Sequence, residues 1–183
     1  MSANPGVAVS VFCGSKSGRI EQYVKSSFEL GEELASRQAK VLCGGVNAGL
    51  MHALISGVSS KGGKVKGYVC SDPTFNEVPS DLLGELVFVD SVLERKSALM
   101  VGADRYILLP GGLGVMDEFF DVMASSKSKG RAITVGILNV DGYFSPFLDF
   151  LQRMIKEGFV NRKYVDSILV EKRPDILVSA IIG

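Results

Sequence analysis

Tyr106-Ile107-Leu108-Leu109 runs directly into Pro110-Gly111-Gly112-Leu113-Gly114, and Val115-Met116-Asp117-Glu118-Phe119 follows without a further break. The first run is short, apolar and ended by proline and glycine, which predicts a buried strand. Gly111, Gly112 and Gly114 lack a Cβ, so backbone N–H groups in this loop are open to close approach by a ligand. The apolar residues after the loop predict a helix. At a helix N-terminus such N–H groups and the helix dipole favour an anion, most often a phosphate. Asp117 and Glu118 are expected in the first turn, held ionised beside whatever binds. Strand, glycine loop and helix in that order predict a phosphate cradle with a carboxylate at its edge.

The same alternation extends in both directions. Strands are expected at residues 7–12, 40–43, 65–69, 86–89, 105–109, 132–138 and 167–170. Helices are expected at about 20–38, 48–59, 91–102, from the glycine loop to 125, 145–157, and briefly from Pro174, with Ser91 capping one of them. The polar stretch 125–130 reads as a loop. Strands alternating with helices predict an α/β fold, a doubly wound, Rossmann-like and mainly parallel sheet with helices on both faces. No linker divides the chain, so residues 1–183 are expected to form a single domain. Such sheets bind ligands outside the carboxyl ends of their strands. Gly14 to Gly18 follow the first strand, Gly44 to Gly49 the second, and Pro110 to Gly114 the fifth, so three loops are expected to line one crevice.

Composition narrows the functional classes. The 183 residues carry 20 basic and 20 acidic side chains, a formal net charge of zero, with no basic tract to form a nucleic-acid surface. No apolar run is long enough to span a bilayer. The opening Met-Ser-Ala-Asn-Pro lacks the charged segment and apolar stretch of a signal peptide. Cys13, Cys43 and Cys70 have no metal-type spacing and read as small buried thiols, and with a single histidine, His52, no metal site is expected. His52 itself reads as a packed, hydrogen-bonded side chain rather than a ligand or base. These features predict a reduced, cytoplasmic protein without nucleic-acid or membrane partners.

Neither Gly44-Gly45 nor Gly111-Gly112 supplies the G-x-G-x-x-G of a dinucleotide fold, and no G-K-[ST] makes an NTPase phosphate loop. Taken alone, the glycine turn reads equally as a tight strand-to-helix connection. Glu94-Arg95-Lys96, near the start of the preceding helix, adds cations, and an arginine binds phosphate in a bidentate fashion. The plainer reading of that pair is a solvated helix face.

Together these residues resemble the LOG ("Lonely Guy") family of cytokinin-activating phosphoribohydrolases, often labelled lysine-decarboxylase-like. The family's P-G-G-x-G-T-x-x-E matches Pro110, Gly111, Gly112, Gly114 and Glu118, and its R-K pair matches Arg95 and Lys96. Val11 to Ser15 resemble its V-F-C-G-S, and Gly44-Gly45 with Gly49-Leu50-Met51 its G-G-G-x-x-G-L-M. The chain departs from the pattern at Val115, where the family has threonine, at Val46 and His52, where it has glycine, and at Val92-Leu93, where it has Met-His.

The resemblance implies hydrolysis of the N-glycosidic bond of a nucleoside 5′-monophosphate, without a cofactor, by a homodimer. It implies that Glu118 stabilises the cationic ribose and activates water, and that Arg95 positions the substrate. Gly111, Gly112, Gly114 and the neighbouring Val115 would hold the phosphate, assisted by Lys96, while Ser15, Gly45 and Asn47 would contact ribose or base. The apolar helices at 48–58 and 115–123 are candidates for the dimer interface. The alternative is a non-catalytic nucleotide or cofactor-binding protein resembling the molybdenum-cofactor carriers. A pyridoxal-phosphate decarboxylase would need a Schiff-base lysine and a partner for the pyridine nitrogen, and no stretch presents that set.

Overall fold

β1 (Ala8–Phe12) and β5 (Arg105–Leu108) lie side by side at the centre of a parallel sheet. In a computed structural model, which describes residues 6–72, 77–129 and 133–183, β2 (Lys40–Cys43), β3 (Val65–Cys70) and β4 (Glu85–Val89) extend the sheet to one side of β1. On the far side of β5, β6 (Thr134–Leu138) and β7 (Ile168–Glu171) complete it, giving the order β4-β3-β2-β1-β5-β6-β7. Every pairing in this sheet is parallel.

Alternate side chains along each strand supply two cores, as the two-residue period of a strand requires. Val9, Val11 and Cys13 point to the face covered by α1 (Glu21–Ser36), α2 (Gly49–Ser60) and, at the C-terminus, α7 (Pro174–Ile182). Phe12, Tyr106 and Leu108 point to the other face. That face is covered by α3 (Val92–Val101), α4 (Leu113–Lys129), α5 (Ser145–Lys156) and the short α6 (Arg162–Val165).

The order reverses between β1 and β5, so the chain leaves these neighbouring strands toward opposite faces and opens a crevice at their carboxyl ends. Two hydrogen bonds close its floor: Leu109 N donates to Phe12 O at 2.9 Å, and Gly14 N donates to Pro110 O at 3.0 Å. The loops after β1 and β5 are therefore locked together before any ligand arrives.

Local chemistry explains the element ends. Ser91 Oγ accepts from Glu94 N at 3.1 Å and caps α3 as expected. Gln38, at φ 56, takes the left-handed position that closes α1, and Ala39 N donates back to Leu34 O at 3.0 Å.

Three expectations are corrected. Residues 125–129 continue α4, because no glycine or proline interrupts the helix before Gly130, which lies outside the described residues. The helix opens at Leu113, so its first turn holds no acid, and Asp117 and Glu118 sit in the second turn. His52 is hydrogen-bonded as expected, its ring paired with Ser56 Oγ at 3.3 Å, but it is exposed rather than packed. Ala132, expected in the sixth strand, lies outside the described residues. Among the described residues no helix is long and apolar enough to cross a membrane.

Candidate active site

A cavity of about 770 Å³ occupies the crevice, within the size range of small-molecule sites. The three expected loops meet in it: Cys13 to Gly18 after β1, Gly44, Val46 and Ala48 after β2, and Pro110 to Val115 after β5. Two further segments contribute Glu77, between β3 and β4, and Tyr143, after β6.

The glycine loop is shaped by its neighbours. A Cβ on Gly111 would collide with Val115 Cγ2 and come within 3.0 Å of Gly14 N, so only glycine fits there. Gly112 and Gly114 face open space. Among the described residues, the N–H groups of Gly112, Leu113, Gly114 and Val115 have no backbone acceptor outside the helix, as expected for the first turn of a helix. Four such donors at the head of a seventeen-residue helix are an arrangement that can accept an anion.

Helical spacing sorts the side chains of α4 onto two faces. Gly114, Val115 and Glu118 lie three and four positions apart and line the cavity. Asp117 and Asp121 share the other face and hold Lys96 at 2.8 and 2.5 Å. Lys96 is thus a strut between α3 and α4 and does not line the cavity.

Burial decides the protonation of Glu118. Desolvation pushes its carboxyl up to about 7, the Arg95 charge opposes that rise, and Asp117 adds to it. The expectation that the helix dipole would hold this acid ionised is corrected: it stands one turn too far along, in a site where loss of water dominates. Burial likewise pushes the Cys43 thiol up to about 12 and raises Cys13, which lines the cavity, so neither is a thiolate nucleophile.

Arg95 also lines the cavity, but its direct partner is Glu77: Nη1 lies 2.5 Å from Glu77 Oε1, with both side chains largely buried at 17% and 14% exposure. The other oxygen of Glu77 accepts from Cys70 N at 3.0 Å. Glu77 therefore fixes the guanidinium to the end of β3, leaving its remaining donors for a ligand. This residue has no motif around it. It is carried in by contacts of the β2 loop, where Val46 pairs with Pro79, Asn47 N donates to Val78 O at 2.8 Å, and Ser80 N donates to Gly45 O at 2.9 Å.

Of the other anticipated contacts, Ser15 and Val115 line the cavity. Gly45 does not: its φ is +70°, and a Cβ would stand 2.8 Å from Gly67 Cα, so it serves close packing against β3. Asn47 lines a neighbouring depression with His52. Tyr143 was missed, although Asp141-Gly142 after an inner strand is a turn signal at the end of the sheet where ligands bind.

Comparison with known proteins identifies the family. A family profile described as "Possible lysine decarboxylase" matches residues 51–181. The rice protein "Probable cytokinin riboside 5'-monophosphate phosphoribohydrolase LOGL9" (Oryza sativa subsp. japonica) is 37% identical over 83% of this chain and 67% of its own. "Probable cytokinin riboside 5'-monophosphate phosphoribohydrolase LOGL2", also of rice, is 32% identical over 94% of this chain and 71% of its own. "Cytokinin riboside 5'-monophosphate phosphoribohydrolase LOG5" of Arabidopsis thaliana is 35% identical over 83% and 67%. Among solved structures, the molybdenum cofactor carrier protein of Chlamydomonas reinhardtii superposes with a TM-score of 0.73 at 18% identity, covering 96% of this chain and 95% of that one, a likeness of fold alone. With a family profile across most of its length and relatives above 30% identity, the chain belongs to the LOG family.

Proposed function

We infer that this chain hydrolyses the N-glycosidic bond of a nucleoside 5′-monophosphate, releasing the free base and ribose 5-phosphate. Its relatives are named as phosphoribohydrolases of cytokinin riboside 5′-monophosphate. The observation that carries the reading is the union, in one cavity, of unpaired helix N–H groups from Gly112 to Val115 with the buried carboxyl of Glu118 one turn further along.

In this mechanism the loop and helix N-terminus hold the 5′-phosphate, and Arg95, anchored by Glu77, orients the nucleotide. As the bond to the base lengthens, positive charge grows on the ribose, and the ionised, largely buried carboxylate of Glu118 stabilises it. Glu118 accepts a proton from the attacking water, whose oxygen bonds to C1′ as the base departs with the bonding electrons. A group whose proton leaves near pH 7 is matched to that task at neutral pH. Ser15 is assigned to the ribose. Val115 supplies its backbone N–H, its side chain being apolar where the family motif has a hydroxyl.

The reading extends to one domain acting as a cytoplasmic homodimer. Most of α2 is consumed by the protein's own core, whereas α4 leaves Leu113 and Phe120 exposed at 89% and 43%, favouring α4 as the interface. Light scattering that finds a monomer at micromolar concentration contradicts that part. For the activity, the protein is incubated with AMP and with its N6-isopentenyl analogue and free base is measured. Release of base is expected; tight binding without base from any nucleoside monophosphate rules the reading out.

A further inference from the structure

We propose that Tyr143 is a positioning residue that sets the glycine loop for phosphate, an inference that rests on the phosphoribohydrolase reading for the ligand's identity. Tyr143 comes from the turn after β6, the strand beside β5. Its Oη donates to Gly111 O at 2.5 Å. On the preceding peptide, Pro110 O accepts from Gly14 N at 3.0 Å. Two successive carbonyls of the loop are thus held from different sides, one by the β1 loop and one by the β6 turn.

The consequence follows from peptide geometry. In a trans peptide the C=O and the next N–H point in opposite directions within one rigid plane. A hydrogen bond that holds Gly111 O toward Tyr143 therefore holds Gly112 N–H on the other side. Gly111 and Gly112 would otherwise rotate with little hindrance, and a carbonyl swung toward the phosphate would meet its oxygens with like partial charge. Tyr143 removes that freedom before the ligand binds, which is preorganisation.

The turn is built to deliver this side chain. Asp141 and Gly142 both take the left-handed conformation, at φ 50 and 72, and reverse the chain immediately before Tyr143. Buried Asn139 braces the reversal: its Oδ1 accepts from Phe144 N at 2.8 Å, and its backbone N donates to Glu171 O at 2.7 Å, tying the turn to β7. The ring meets Tyr23 edge-on with centroids 5.7 Å apart, so its direction survives loss of the hydroxyl.

Tyr143→Phe removes the hydrogen bond and keeps those ring contacts. Calorimetric titration of wild type and variant with ribose 5-phosphate, inorganic phosphate and adenosine is the test. Affinity for the two phosphate-bearing ligands is expected to fall about 3- to 10-fold, the range of one net hydrogen bond. Adenosine affinity and melting temperature are expected to stay as in wild type, and any loss with AMP is expected in KM more than in kcat. Undiminished phosphate affinity overturns the proposal, and so does an equal loss for adenosine, which would signal general damage to the cavity. A wild type that binds neither anion overturns it too. If the phosphate-selective loss is found but no base is ever released from a monophosphate, the positioning role stands and the hydrolase reading falls.

Discussion

Replacing Glu118 with Gln removes a charge from a place where water has been largely excluded, and its effect on stability carries a definite sign. The native carboxyl keeps its proton up to about pH 7, whereas the ordinary value is 4.5. Between those values the native state binds more protons than the unfolded chain, so wild-type stability falls as pH rises through this window. At about 1.36 kcal/mol per pH unit, the full rise corresponds to roughly 3 kcal/mol, with the opposing charge of Arg95 already included. Gln is neutral throughout, so the variant escapes this loss. Near pH 5 the two proteins should melt together. Near pH 8.5 Glu118→Gln should melt higher, by up to about 5–10 °C for a domain of this size. Base release by the variant should meanwhile fall by about 10²–10⁴-fold. Differential scanning calorimetry at the two pH values, beside a base-release assay, measures both. A thermal gain equal at pH 5 and 8.5, or a variant less stable at pH 8.5, refutes the placement of a desolvated carboxylate at this position.

Other substitutions probe the rest of the site. Val115→Thr restores a hydroxyl beside the loop and should lower KM for the monophosphate about 3- to 10-fold, at a stability cost of about 1 kcal/mol for the buried hydroxyl; an unchanged KM would mean position 115 does not face the phosphate. Gly111→Ala drives a Cβ into Val115 and Gly14 and should abolish ribose 5-phosphate binding, which titration reads directly. Lys96→Met breaks the exposed pairs to Asp117 and Asp121 and should cost only about 1 kcal/mol in a denaturation curve while leaving KM unaltered; a large rise in KM would return Lys96 to the phosphate. The pH profile of kcat/KM should rise with a midpoint near 7 as Glu118 loses its proton in the free protein.

The parts of this molecule that were legible in the sequence are those set by local pattern. Apolar runs ended by glycine or proline marked the inner strands β1, β2 and β5, because a strand buried on both faces must be apolar on both. The meeting of three loops followed from their place at strand carboxyl ends. Two errors arose where one turn of helix changes the outcome. The acids of α4 follow the glycines closely in sequence, yet the helix opens at Leu113, and Glu118 is governed by burial instead. Lys96 stands beside Arg95, yet neighbours on a helix point apart, and Lys96 meets Asp117 and Asp121 while Arg95 turns to Glu77. Glu77 and Tyr143 were illegible for a different reason. Each reaches the cavity through contacts distant in sequence, one through the Val46–Pro79 bridge and the other through the brace at Asn139.

The most direct test compares AMP with adenosine, using wild type and Glu118→Gln side by side, and quantifies free adenine and ribose 5-phosphate. Wild type should release the two products in equal amounts from AMP, with adenosine a far poorer substrate and the variant nearly inert. Adenosine cleaved as readily as AMP, or Glu118→Gln as active as wild type, would contradict a site in which the glycine loop holds phosphate and Glu118 drives bond cleavage.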